Sequence, residues 1–207
     1  MPPEVVSFVL VGNDRPWAKL MVASVREHVP NARIVQMSDP DTDAIVDEVI
    51  RKPYDGRMMT FRLDHLADFP HETMLILDDD CLVKGDLSHV FGHVFDVALT
   101  LRTGPVYYEK INMTESCPYN TGVMFSRSQD FWERAAMVAR NLPHRFQRWW
   151  GDQMAVGLTA RRGHWLVHDL DVQRYNWSPG APSDTSDALV WHYKGKRKDW
   201  LQVAHAA

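Results

Sequence analysis

Cysteine is nearly absent. Cys81 and Cys117 are the only two among 207 residues, too few for a disulfide framework and without the close pairing of a zinc site, a usage that suits a reducing compartment. Long apolar runs are missing too. No stretch approaches the roughly 20 residues of a membrane span, and the opening MPPEVVSFVLV lacks the basic start and small-residue cleavage site of a secretory signal. The expected location is therefore cytoplasmic. Positive charge is not in surplus either: the formal net charge is -4, which gives no global attraction to nucleic acid or to an anionic membrane. Internal repeats and low-complexity segments are likewise missing. What remains, 45% hydrophobic and 24% charged residues, is the composition of a globular chain with a substantial core, read as one domain over residues 1–207.

Short β-rich apolar runs alternate with amphipathic segments. VVSFVLV (5–11) is closed by GNDRP and followed by PWAKLMVASVREHV, with apolar residues at Leu20, Val22, Ala23 and Val25, which reads as strand, turn, helix. ARIVQM, TMLIL and DVALTL read as further strands, and SQDFWERAAMVARNL as a helix with Phe131, Ala135 and Val138 on its core side, stopped at Pro143. The alternation implies an α/β fold with a mixed, mostly parallel sheet and helices on both faces. Residues 102–119 show no clear period, the pattern of a lid or binding loop.

In MLILDDDCLVKGDL an apolar strand runs straight into three carboxylates. Adjacent like charges repel and Asp is disfavoured in strands, so the cluster calls for a positive partner, although a solvated turn would also accommodate it. Ligands in such sheets bind beyond the carboxyl ends of the strands. If strand geometry persists, Asp78 and Asp80 share a side and Asp79 points away, leaving two hard oxygen ligands for Mn²⁺ or Mg²⁺. Near the other end, ALVWHYKGKRKDWL runs a strand into His192. Gly195 would let backbone approach a phosphate and Lys198 would place charge on it; a basic solvated tail is the plainer alternative.

Together these segments resemble the retaining glycosyltransferases of family 8, the GT-A (Rossmann-like) group with glycogenin-like and lipopolysaccharide-galactosyltransferase-like members. LILDDDCLV resembles that family's strand-ending LDxD, and HYKGKRKDW its HxxGxxKPW. Between them, YNTGVMFS is similar to the FNaGv segment through Asn120 and Gly122, and WWGDQMAV to the DQD segment through Asp152 and Gln153. TFRLDHL resembles the segment that places Arg62 against the donor. The resemblance spans residues 5 to 200. Asp199 stands where the family has proline, Met154 replaces the last acid of DQD, and the chain is short for the family.

The resemblance implies a UDP-sugar donor, Mn²⁺ or Mg²⁺ held by Asp78, Asp80 and His192, and transfer with retained anomeric configuration. Donor-binding residues would be Asn13, Asp14, Arg62, Asp78, Asp79, Asn120, Gly122, Gly195 and Lys198. Gln153 would lie near the anomeric carbon and Asp152 near the sugar hydroxyls, as the catalytic pair. The acceptor would be a glycan, a protein or a modified nucleobase. Trp149, Trp150 and Trp177 could stack on a sugar or base, but the acidic charge disfavours DNA. A sugar-nucleotide hydrolase or nucleotidyltransferase would use the same cation, and a non-catalytic sugar-nucleotide-binding module would keep the same scaffold.

Overall fold

The computed structural model describes residues 2–204. Its strands are β1 (Val5–Leu10), β2 (Arg33–Ser38), β3 (Glu48–Arg51), β4 (Met74–Leu77), β5 (Cys81–Val83), β6 (Val97–Leu101), β7 (Tyr107–Tyr108), β8 (Ile111–Asn112), β9 (Tyr119–Ser126), β10 (Val167–Asp171) and β11 (Val190–His192). The helices are α1 (Pro16–His28), α2 (Met58–Ala67), α3 (Gln129–Arg140), α4 (His144–Arg148), α5 (Gly151–Arg162), α6 (Val172–Tyr175) and α7 (Lys198–Ala204).

Seven strands form the main sheet in the order β10-β6-β9-β4-β1-β2-β3. All pairings are parallel except those of β9, which runs antiparallel to both β4 and β6. Side-chain alternation sorts the core onto two faces. Val6, Phe8 and Leu10 meet Ala18, Met21, Val22 and Val25 of α1 on one face. Val5, Met74 and Ile76 meet Leu63 and Leu66 of α2 and Phe131, Trp132 and Ala135 of α3 on the other. Local chemistry sets the helix ends: Pro16 starts α1 with φ already fixed, and Ser128 caps α3 by accepting from the Phe131 N–H at 3.3 Å.

This is the α/β architecture that the alternating pattern implies, with helices on both faces. Two local expectations are corrected. The strand does not persist through the acidic cluster: β4 stops at Leu77, and residues 78–80 turn, with the Cys81 N–H donating to the Asp78 carbonyl at 3.2 Å. Residues 102–119 are not a structureless loop either, because β7 and β8 pair as a hairpin. Its turn residues Glu109 and Lys110 both have positive φ, 46° and 67°, a conformation usually signalled by Asn or Gly. No described helix is long and apolar enough to cross a membrane.

Candidate active site

Strand order reverses at β1, which pairs with β2 on one side and β4 on the other, so the crevice beyond their carboxyl ends is where a ligand fits. A cleft of about 630 Å³ opens there, lined by all three aspartates of the cluster. After the turn, β5 pairs antiparallel with β11, and the register places His192 opposite Cys81. That pairing carries a histidine more than 100 residues downstream to the carboxylates.

His192 is buried, and its Nδ1 donates to the Asn176 Oδ1 at 2.8 Å. The amide is itself oriented, since Asn176 Nδ2 donates to Thr100 Oγ1 at 2.9 Å. Nε2 therefore faces the acids, 2.9 Å from Asp80 Oδ1 and 3.4 Å from Asp78 Oδ2. Asp80 Oδ1 is shielded from solvent and has no polar neighbour to satisfy it except His192 Nε2. Lone pairs this close repel unless a proton or a cation joins them, so the donor set fits a hard divalent ion. Without one, the proton wins: burial lowers the His192 pKa, but the charge of Asp80 and hydrogen bonds to Asp78 and Asp80 outweigh it and raise the value. Asp80, Cys81 and His192 also have ligand atoms within 4.8 Å of one another. Burial and the flanking carboxylates push the Cys81 thiol well up, so it stays protonated and the hard set of Asp78, Asp80 and His192 is the better ligand group.

Cations hold the other carboxylate oxygens. Arg62, buried, reaches Asp78 Oδ1 at 2.9 Å and Asp152 Oδ2 at 3.0 Å, and donates to the Thr121 carbonyl at 2.8 Å. Burial alone would raise the Asp78 carboxyl, yet Arg62 and His192 hold it well below the usual range. Asp152, in the first turn of α5, accepts from Thr121 Oγ1 at 2.8 Å. Lys198 Nζ lies 3.0 Å from Asp80 Oδ2, 3.7 Å from Asp79 Oδ1 and 5.2 Å above the Trp17 ring. Arg15 pairs with Asp79 at 3.1 Å. Asp79 still has a raised pKa, because burial and its neighbour Asp80 outweigh both cations.

No family model matches the sequence. No curated protein matches it either. Solved structures do resemble it in three dimensions. The galactosyltransferase LgtC, in complex with donor and acceptor sugar analogues, superposes with a TM-score of 0.63 at 11% identity, covering 98% of this chain and 95% of that one. A glycosyltransferase involved in glycosylation of the major capsid of PBCV-1 gives 0.68 at 15% identity, covering 100% of each chain. The fold is GT-A.

On this GT-A scaffold the cleft brings together Arg62, Asp78, Asp79, Asp80, Asn120, Asp152, Gln153, His192, Gly195 and Lys198. Asp79 does not point away, because the turn replaces the strand. Asn13 and Asp14 are exposed and line an adjoining depression of about 920 Å³ that shares Arg15 with the cleft and contains none of the aspartate cluster. Gly122 is not among the residues lining the cleft and packs against His192: a Cβ there would stand 2.1 Å from His192 Cε1 and 3.1 Å from Asp78 Oδ2. Trp149 and Trp150 line the cleft, whereas Trp177 packs edge-on against Trp191 at 4.9 Å and faces a neighbouring chamber.

Both departures from the family pattern have local reasons. Met154 packs in an apolar cluster with Val106 and Phe146. Asp199 stands in the first turn of α7, where an acid suits the helix dipole. Sequence reading missed four cations of the cleft, Arg15, Arg102, Arg148 and Lys194. Arg102 donates to the Gln153 side chain and to the Tyr119 carbonyl at 3.2 Å. Lys194 is pushed down to about 8 by burial and by Arg102.

Proposed function

We propose that this chain is a metal-dependent retaining glycosyltransferase that moves a hexose from a UDP-sugar to an acceptor hydroxyl, acting as one domain over residues 1–207. The observation that carries the reading is the fixed tautomer of His192, whose free nitrogen converges with Asp78 and Asp80 in a cleft at the sheet's switch point. Mn²⁺ or Mg²⁺, held by those three residues, would supply Lewis-acid neutralisation of the departing diphosphate. The likeness to two glycosyltransferase structures supports the choice of reaction class.

The chain's own groups have separable tasks. Lys198 binds a diphosphate oxygen, and Gly195, at φ 62°, lets backbone approach it without a Cβ. Arg62 locks Asp78 and Asp152 in one rigid unit, so the metal side and the sugar side of the cleft cannot drift apart. Arg102 donates to the Gln153 side chain, which lines the cleft beside Asp152, and in this reading Gln153 faces the anomeric carbon. An amide is not a base of useful strength, so substitution takes place on the leaving-group face without a covalent intermediate. The two buried, unpaired thiols support a reducing, cytoplasmic setting.

Proton NMR of the product tests the reading. An α-linked donor should give an α-linked glycoside, whereas a β linkage contradicts retention. Release of free sugar phosphate would assign the cleft to attack at phosphorus.

A further inference from the structure

A side chamber of about 260 Å³ adjoins the main cleft, and Arg102, Asn120 and Lys194 line both spaces. Three cations of the cleft rest on carboxylates, Arg15 on Asp79, Arg62 on Asp78 and Asp152, Lys198 on Asp80, and Arg148, at the Trp149–Trp150 side of the cleft, lies outside the chamber. The chamber is different. No acidic residue lines it, and among the described residues neither Arg102 nor Lys194 has a carboxylate oxygen within the 4.0 Å of an ion pair. Arg102 is oriented by neutral groups alone, the Tyr119 carbonyl, Gln153 and the Trp150 ring 5.8 Å away. Two half-buried like charges without a counter-ion are costly, and a bound anion removes that cost.

We infer that the acceptor carries an anionic group, a phosphate or a carboxylate, bound between Arg102 and Lys194. This rests on the glycosyl-transfer reading of the same cleft. The acceptor, not the donor, is the molecule concerned. The donor's diphosphate has its own cation in Lys198, whereas Arg102 is bonded to Gln153, so the chamber opens where the sugar is handed over. The guanidinium fork fits either anion geometrically, and the two sources separate only by experiment.

The test is calorimetry on the full chain with UDP and Mn²⁺ present, titrating methyl glucoside, methyl glucuronide and glucose 6-phosphate, and repeating each titration without nucleotide. At least one charged sugar should bind about 10-fold or more tightly than the neutral one. Lys194→Gln and Arg102→Gln should each remove most of that preference. Lys198→Ala should keep it in the titrations without nucleotide. Preference for the phosphate or for the uronate assigns the acceptor's acid. Equal affinity for charged and neutral sugars by a chain that binds UDP overturns the anionic acceptor alone, as does a preference that survives both substitutions. A chain that binds no UDP overturns the glycosyl-transfer reading instead, and the titrations without nucleotide then report on the chamber separately.

Discussion

The imidazole Nδ1 of His192 donates to the Asn176 side-chain oxygen at 2.8 Å, and the Asn176 amide is anchored in turn on Thr100. A residue outside the acidic cluster thus decides which histidine nitrogen faces the carboxylates. Asn176→Ala should weaken Mn²⁺ binding by about 10-fold to 100-fold while leaving a folded chain, the usual cost of losing a partner that orients a metal-binding histidine. Titration of Mn²⁺ by calorimetry checks this, and unchanged affinity removes Asn176 from the account.

Gly122 makes a different prediction. A methyl group there would overlap the His192 ring at 2.1 Å, and the strand around it is fully buried, so neither partner can give way. Gly122→Ala should lower stability by about 1–3 kcal/mol and also abolish metal-dependent UDP binding. Thermal melting together with UDP titration separates these effects, and a stable variant with normal UDP affinity contradicts the placement of His192.

Much of this was legible in the sequence because the carrier residues sit at strand ends. The run TMLIL into DDD marked a buried parallel strand ending at the switch point, and VWH marked a second strand that delivers a histidine. Strand β9 was recognised as a motif but not as a strand. It is the one antiparallel member of the main sheet and buried at all eight positions, so it shows no alternation of period two. The hairpin β7–β8 escaped because Glu109 and Lys110 adopt left-handed backbone without glycine. Lys194 looked like one more solvated lysine of KGKRK; only the β5–β11 pairing, which has no local sequence signature, turns it into the cleft.

His65 gives the fold its own pH dependence. Burial, reinforced by the charge of Lys52, pushes its imidazole down from 6.5 to about 4. A depressed histidine favours the folded state when neutral, so this stability is fully present above the unfolded value and is lost as pH falls through the window from 6.5 to 4. The loss approaches about 3 kcal/mol at the acid end, at 1.36 kcal/mol per unit. Urea unfolding at pH 7 and pH 4 should show His65→Gln gaining on the parent by about 2–3 kcal/mol between the two. A constant difference would contradict the assignment.

Lys198 and Lys196 stand two residues apart in KGKRK and should behave oppositely. Lys198 is held over the aspartates and Trp17, whereas Lys196 is exposed. A charge-assisted hydrogen bond to diphosphate contributes roughly 1.5–3 kcal/mol, so Lys198→Ala should weaken UDP binding about 10-fold to 100-fold and Lys196→Ala should change it little. Uridine, without phosphates, should bind all three proteins equally. Equal UDP affinities across the set would return the segment to a solvated tail.

The proposal that Asp78, Asp80 and His192 hold one divalent ion is tested most directly by UDP calorimetry with Mn²⁺ and with EDTA, on the parent and on Asp80→Asn. Carboxylates and diphosphate repel each other across the cleft without a cation between them. The parent should bind UDP with Mn²⁺ and lose at least about 10-fold in EDTA, and Asp80→Asn should bind weakly in both. UDP affinity that is the same in Mn²⁺ and EDTA, or that survives Asp80→Asn undiminished, would contradict the metal–diphosphate site.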